Sequence, residues 1–139
     1  MIFLKVSVDP VAKLFYLPMM TNKGKWYWQD VAGHVLTVGE FKFSVCCLPG
    51  YLINVSELET GAKAFDLFDI SPLETQEEAF DFYKDNIGSI LINILEKYPN
   101  FNEIVQKQKK KLNKILSNKP QVTDIDERLI ISNKINLIH

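Results

Sequence analysis

Histidine and cysteine, which most metal sites and many catalytic sites need, occur only twice each in the 139 residues. His34, His139 and the adjacent Cys46 and Cys47 do not have the spacing of a metal-ligand cluster. Neither a glycine-rich phosphate loop nor a Gly-x-Ser-x-Gly motif is present. We therefore expect a non-enzymatic protein with no cofactor, metal or catalytic residue. A Cys–His pair involving His34 is the one enzymatic alternative that stays open.

Long hydrophobic runs are also missing. The chain reaches Lys5 and Asp9 too early for the apolar core of a signal peptide, and the densest apolar window, 87–95, is interrupted by polar residues. Two adjacent cysteines on a strand point to opposite faces, so a disulfide between them is not expected. We predict one soluble domain over 1–139, located in the cytoplasm (the host cytoplasm if a phage encodes it), with no membrane contact.

The first half of the chain has the alternation and the turn residues that are typical of strands. The candidate strands are Ile2–Val8, Val11–Leu17 ending before Pro18, Trp26–Trp28, His34–Val38, Phe41–Cys47, Tyr51–Leu58 and Ala62–Phe68. In the fifth candidate, the side chains that share one face are Phe41, Phe43, Val45 and Cys47. Strands this closely spaced leave no room for crossover helices, so an antiparallel meander is expected.

The second half of the chain has helical periodicity. Thr75 and Glu78 form a capping-box pattern, and Pro99 ends that helix. Asn100 is expected to cap a second helix, and Asp124 opens a possible third helix over 125–138. The predicted buried stripes are Phe80, Tyr83, Ile87, Leu91, Ile94 and Tyr98 in the first helix, and Phe101, Ile104, Val105, Leu112, Ile115 and Leu116 in the second. The predicted class is α+β, an N-terminal antiparallel sheet of five to seven strands covered by two or three C-terminal helices.

Charge is distributed unevenly although the net charge is only −1. Residues 57–85 contain nine acids and two lysines. Such a surface could imitate nucleic-acid phosphates and occupy a basic groove on a partner. The alternative is that these acids stabilise a helix N-terminus and keep a strand soluble. The acidic candidates for partner binding are Asp66, Asp69, Glu74, Glu77, Glu78 and Asp81.

Trp26, Tyr27 and Trp28 form the densest aromatic cluster, and two lysines precede them. They are candidates for a stacking platform or an interface anchor, unless the strand simply has one core face. Lysines 107, 110, 111 and 114 recur at helical spacing, which is typical of a solvated helix face. Without a nearby arginine to contact bases, direct nucleic-acid binding is not favoured.

Residues 51–98 contain, in order, a predicted strand, the turn Glu59-Thr60-Gly61, a second predicted strand and a predicted helix that begins in Thr75-Gln76-Glu77-Glu78-Ala79. This order resembles a hairpin–helix pattern of small phage and mobile-element accessory proteins. The resemblance implies a protein that binds a host or phage macromolecule and has no catalytic residues. We expect an inhibitor that blocks a nucleic-acid-handling protein through an acidic surface. The alternative is a small ligand- or nucleotide-binding module with a pocket between sheet and helices.

Overall fold

The computed structural model describes residues 4–50, 52–68, 70 and 73–125. The strands are β1 (Val6–Val8), β2 (Lys13–Met20), β3 (Trp26–Val38), β4 (Phe41–Leu48), β5 (Leu52–Glu57), β6 (Lys63–Leu67) and β7 (Thr123–Asp124). The helices are α1 (Gln76–Phe82) and α2 (Gly88–Lys97), joined by a π-helical turn at Tyr83–Ile87, and α3 (Phe101–Ile115). All strand pairs are antiparallel, so the predicted α+β class with an N-terminal antiparallel sheet is confirmed. No helix among these residues is long and apolar enough to cross a membrane.

The long strand β3 belongs to two parts of the sheet. The strand order is β6-β5-β4-β3-β2-β7, and β1 also pairs with β3. Residues 26–33 of β3 pair with β2, whereas residues 34–38 pair with β4. The change falls at Gly33, where an added Cβ would lie 2.2 Å from the Val45 carbonyl oxygen, so only glycine permits the approach. Residues 13–33 therefore form a two-stranded segment, the ribbon, that diverges from β4.

The two faces of the central strands have different neighbours. One face packs against α1, the π-helical turn and α2 in the main core, whose buried residues are Leu36, Val38, Phe43, Val45, Ile53, Val55, Ala79, Tyr83, Ile87, Leu91 and Leu95. The other face contributes Val35 and Cys46, which pack with Phe15 of the ribbon. Cys46 and Cys47 are free thiols on opposite faces, as predicted. The predicted common face from Phe41 to Cys47 is also confirmed.

Several predicted strand boundaries are wrong, and the first strand, β1, begins only at Val6. The candidates Trp26–Trp28 and His34–Val38 are parts of the single strand β3, because the ladder with β2 continues through the residues between them. Strand β2 also continues through Pro18 to Met20. Past Leu14, no described strand pairs with the other side of β2. A proline is tolerated at such an edge because its missing N–H costs no ladder hydrogen bond there.

The predicted cap of the first helix is confirmed, since the Glu78 N–H donates to Thr75 Oγ1 at 3.1 Å. The carboxylate of Glu78, however, accepts the N–H of Glu74 rather than that of Thr75. Asn100 precedes α3 at the predicted cap position, but the structure gives its side chain no capping hydrogen bond; its carbonyl oxygen accepts the N–H groups of Glu103 and Ile104.

Of the predicted helical stripes, Tyr83, Ile87, Leu91 and Val105 are buried, and the other members are half-buried except for one exposed residue near each C-terminal end. Tyr98 is 42% exposed because α2 ends at Lys97, and Ile115 is 49% exposed in the last turn of α3. Asp124 lies in strand β7 rather than at a helix start, where it pairs with Lys13 of β2. The remainder of the predicted third helix, 126–138, lies outside the described residues.

Candidate functional site

A cleft of about 500 Å³ lies between the ribbon, the β4–β5–β6 part of the sheet and α3. Its walls are mostly apolar, and the large side chains among them are Leu17, Met19, Trp26, Leu48, Leu52 and Leu112. These residues come from three separate parts of the sequence, namely β2 with β3, β4 with β5, and α3. We call this space the cleft.

Four polar side chains line one wall of the cleft. We call them the polar cluster, and they are Asn54, Ser56, Lys63 and Asp66. Asn54 Nδ2 donates to Asp66 Oδ1 at 3.2 Å, and Ser56 Oγ donates to Asn54 Oδ1 at 2.6 Å. Lys63 Nζ lies 3.0 Å from Asp66 Oδ2. Asn54 is only 5% exposed and Ser56 only 1%. Hydrogen bonds within the cluster therefore hold polar groups on a buried sheet face, where an unpaired group would be costly.

The β5–β6 turn contributes Gly61 to the lining of the cleft. The Glu57 carboxylate accepts two backbone N–H groups of this turn, including that of Thr60 at 2.8 Å. Gly61 follows with φ of +75°, and a Cβ there would lie 2.8 Å from the Tyr16 carbonyl oxygen and 3.2 Å from the Trp28 ring. Glycine thus allows the turn to pack directly on the ribbon.

A second cavity, of about 270 Å³, adjoins this turn, and we call it the Lys119 cavity. Lys109 lies in its wall and forms an ion pair of 2.9 Å with Glu59. Lys119 is partly buried there, and burial lowers the pKa of its ammonium while the nearby Glu57 opposes that shift. Trp28 contributes to the same wall, and its Nε1 donates to the Ser117 carbonyl oxygen at 2.9 Å.

The three aromatic residues predicted as a cluster do not share one exposed surface. Trp26 lines the cleft and Trp28 lines the Lys119 cavity, and both are partly buried. Tyr27, between them, is exposed. Each tryptophan therefore forms part of a cavity wall, and the three rings do not form one platform.

The predicted acidic residues fall into separate groups. Glu74, Glu77, Glu78 and Asp81 are exposed and lie in α1 or just before it, and we call them the α1 acids. Asp66 lies on the opposite side of the sheet, because its neighbours Phe65 and Leu67 pack into the main core beneath the helices. Asp69 lies outside the described residues.

The side chains of Cys46, Cys47 and His34 pack within the fold. Cys46 is fully buried, and burial raises the pKa of its thiol, which disfavours the reactive thiolate. Cys47 Sγ lies 3.3 Å from Tyr83 Oη, and the His34 ring packs edge-on against Phe80 with 4.8 Å between centroids. Among the described residues, no three His, Cys, Asp or Glu side chains are grouped so that they could hold a metal ion.

Sequence reasoning missed Asn54, Ser56, Lys63 and Lys119 as site residues. Asn54 and Ser56 alternate with apolar Ile53 and Val55, a pattern that predicts a solvent-facing side for the strand. Nothing local in the sequence shows that the ribbon covers this side. Comparisons with family models, with curated proteins and with solved structures give no match for this chain. The resemblance of 51–98 to phage accessory proteins therefore stays a prediction.

Proposed function

We propose that the protein is a non-enzymatic binding module and that the cleft holds a small molecule with an apolar body. The observation that carries this proposal is a concave, mostly apolar cleft with one polar cluster converging on it. Ligand sites typically have volumes of roughly 300–1,000 Å³, apolar walls and a few placed polar groups. The cleft, at about 500 Å³, has all three properties.

The polar cluster strengthens the proposal because it lies on a face that folding alone would fill with apolar residues. Replacing both partners of a buried hydrogen bond with well-packed apolar groups of the same shape is often neutral or stabilising. Asn54 and Ser56 nevertheless occupy buried positions beside the apolar cleft. They leave a directional hydrogen-bonding surface where a bound molecule would be oriented.

A fluorescence titration with Nile red tests the proposal, because this dye emits strongly in apolar sites. We expect saturable binding of one dye per wild-type chain. Ala62 lines the cleft, so Ala62→Phe fills it and should lower the affinity about tenfold or more. Ala64→Phe is the matched control, because Ala64 is an exposed residue of the neighbouring strand β6 and should leave the affinity unchanged. No saturable binding, or equal loss in both variants, would contradict the proposal.

A second candidate function is the binding of a macromolecule through the α1 acids. It is favoured by one observation: all four residues are exposed within the short segment 74–81. A concentrated negative surface raises the association rate with a basic groove, and salt weakens that effect. The partner would be a protein, including one whose groove normally holds nucleic acid, and the function would be to block it.

Affinity capture from the native cell at low and high salt, followed by mass spectrometry, tests this second candidate. A partner that depends on the α1 acids should be lost on reversal of Glu77, Glu78 and Asp81 to lysine. The matched control reverses Lys107, Lys110 and Lys111 to glutamate, since these are exposed charges on α3. Loss of the partner in the control alone would mean that the protein binds an anionic surface instead.

A further inference from the structure

Lys119 is a partly buried cation that forms no ion pair in the part of the chain that the structure describes. The other lysine of its cavity, Lys109, is already paired with Glu59. A partly buried ammonium with no carboxylate within ion-pair distance loses hydration and gains no ion pair in return. Such a group is stabilised when a bound anion reaches it.

The Lys119 cavity and the cleft adjoin each other. Leu112 lines both, and the consecutive residues Thr60 and Gly61 line one each. Trp26 and Trp28, two residues apart on β3, likewise contribute one to each space. An elongated molecule lying along α3 would therefore have apolar walls around one end and Lys119 at the other.

We infer that the ligand of the cleft is an amphipathic monocarboxylate whose head pairs with Lys119 and whose apolar body lies in the cleft. This inference rests on the proposed function. The amides of Asn113 and Asn118 line the same cavity and add hydrogen-bond donors beside Lys119. Carboxylates accept such charge-assisted and neutral hydrogen bonds together.

Local charge disfavours more than a single negative charge on the ligand. The ionisable groups around the head position are Lys109, Lys119, Glu57 and Glu59, and their formal charges cancel. A ligand carboxylate can pair with the Lys119 ammonium, which has no protein carboxylate within ion-pair distance. The second negative charge of a head such as a phosphate would have no further unpaired ammonium, and the two glutamates would repel it. Lys63, at the cleft wall, is already neutralised by Asp66.

Calorimetric titrations with octanoate, 1-octanol and octyl phosphate test this inference in the intact protein. We expect octanoate to bind most tightly and each added methylene, from hexanoate to decanoate, to strengthen binding about fourfold. Lys119→Met should weaken octanoate binding about tenfold or more and leave 1-octanol binding unchanged. Lys110→Met, at an exposed position of α3, is the matched control and should change neither.

The outcomes separate the inference from the proposed function. If 1-octanol and octanoate bind equally and Lys119→Met has no effect, the carboxylate inference is wrong while the cleft remains a ligand site. If Lys63→Met abolishes octanoate binding and Lys119→Met does not, the head lies at the polar cluster and the inference is equally wrong. Tighter binding of octyl phosphate than of octanoate would overturn the monocarboxylate class. If none of the three probes binds, the proposed function itself fails.

Discussion

Replacing Asp66 with alanine should lower the free energy of unfolding by about 2 kcal/mol, and the reason is the buried amide of Asn54. Asp66 Oδ1 accepts a hydrogen bond from Nδ2 of Asn54, a residue that is 5% exposed. Loss of that acceptor leaves a buried donor unsatisfied, which costs roughly 1–3 kcal/mol. The ion pair with Lys63 adds little, about 0–1 kcal/mol, because the lysine side chain is mostly exposed.

Asp66→Asn separates the two contributions. The asparagine keeps an oxygen that can accept from Asn54 and removes only the charge, so it should cost less than about 1 kcal/mol. Urea unfolding followed by circular dichroism measures both variants, and the m-value should stay at the wild-type value. If Asp66→Ala leaves the midpoint unchanged, or if Asp66→Asn destabilises as much as Asp66→Ala, the polar cluster is not held by the buried acceptor.

Three further perturbations follow from individual contacts. Thr75→Ala removes the cap of α1 and should cost about 1 kcal/mol of unfolding free energy, whereas an unchanged urea midpoint would show that the cap is dispensable. Gly61→Ala and Gly24→Ala both place alanine at positive φ, but only the Cβ at position 61 would meet another atom, the Tyr16 carbonyl oxygen, at 2.8 Å. Gly61→Ala should therefore be clearly the more destabilising, and equal urea midpoints of the two variants would refute the packing of this turn on the ribbon. Burial lowers the pKa of Lys119 below 10.5, so the folded chain releases this proton at a lower pH than the unfolded chain does. The unfolding free energy of the wild type should therefore rise relative to that of Lys119→Met as pH increases from the lowered pKa towards 10.5. If the difference between the two free energies does not change with pH, the burial of this ammonium is contradicted.

The sheet and the helices were largely predictable because their signals are local. Alternation in Phe41–Cys47 identified the core face of β4, and Thr75 with Glu78 marked the start of α1 to the residue. The boundaries of β2 and β3 were not predictable in the same way. Whether Pro18 ends a strand depends on whether that strand is an edge, and this is decided by distant residues.

The candidate site could not be predicted for the same physical reason. The cleft exists because β3 changes partner at Gly33, which brings the ribbon and α3 over a polar strand face. Asn54 and Ser56 have the pattern of solvent-facing residues until that covering is known. Lys119 follows the helical region in a stretch without periodicity, and its role depends on the cavity around it. The concentration of acidic residues, in contrast, could be predicted from the composition of residues 57–85. The structure nevertheless places Asp66 on the other side of the sheet from the α1 acids.

Amide-resolved NMR of the protein titrated with 1-octanol tests the central claim, that the cleft is a ligand site, most directly. This uncharged probe depends on the apolar walls alone, so its result does not depend on Lys119. We predict saturable shift changes concentrated at Leu17, Met19, Leu48, Leu52 and Leu112, with the α1 acids unaffected. Shift changes that are absent, that do not saturate, or that concentrate on α1 would contradict the claim.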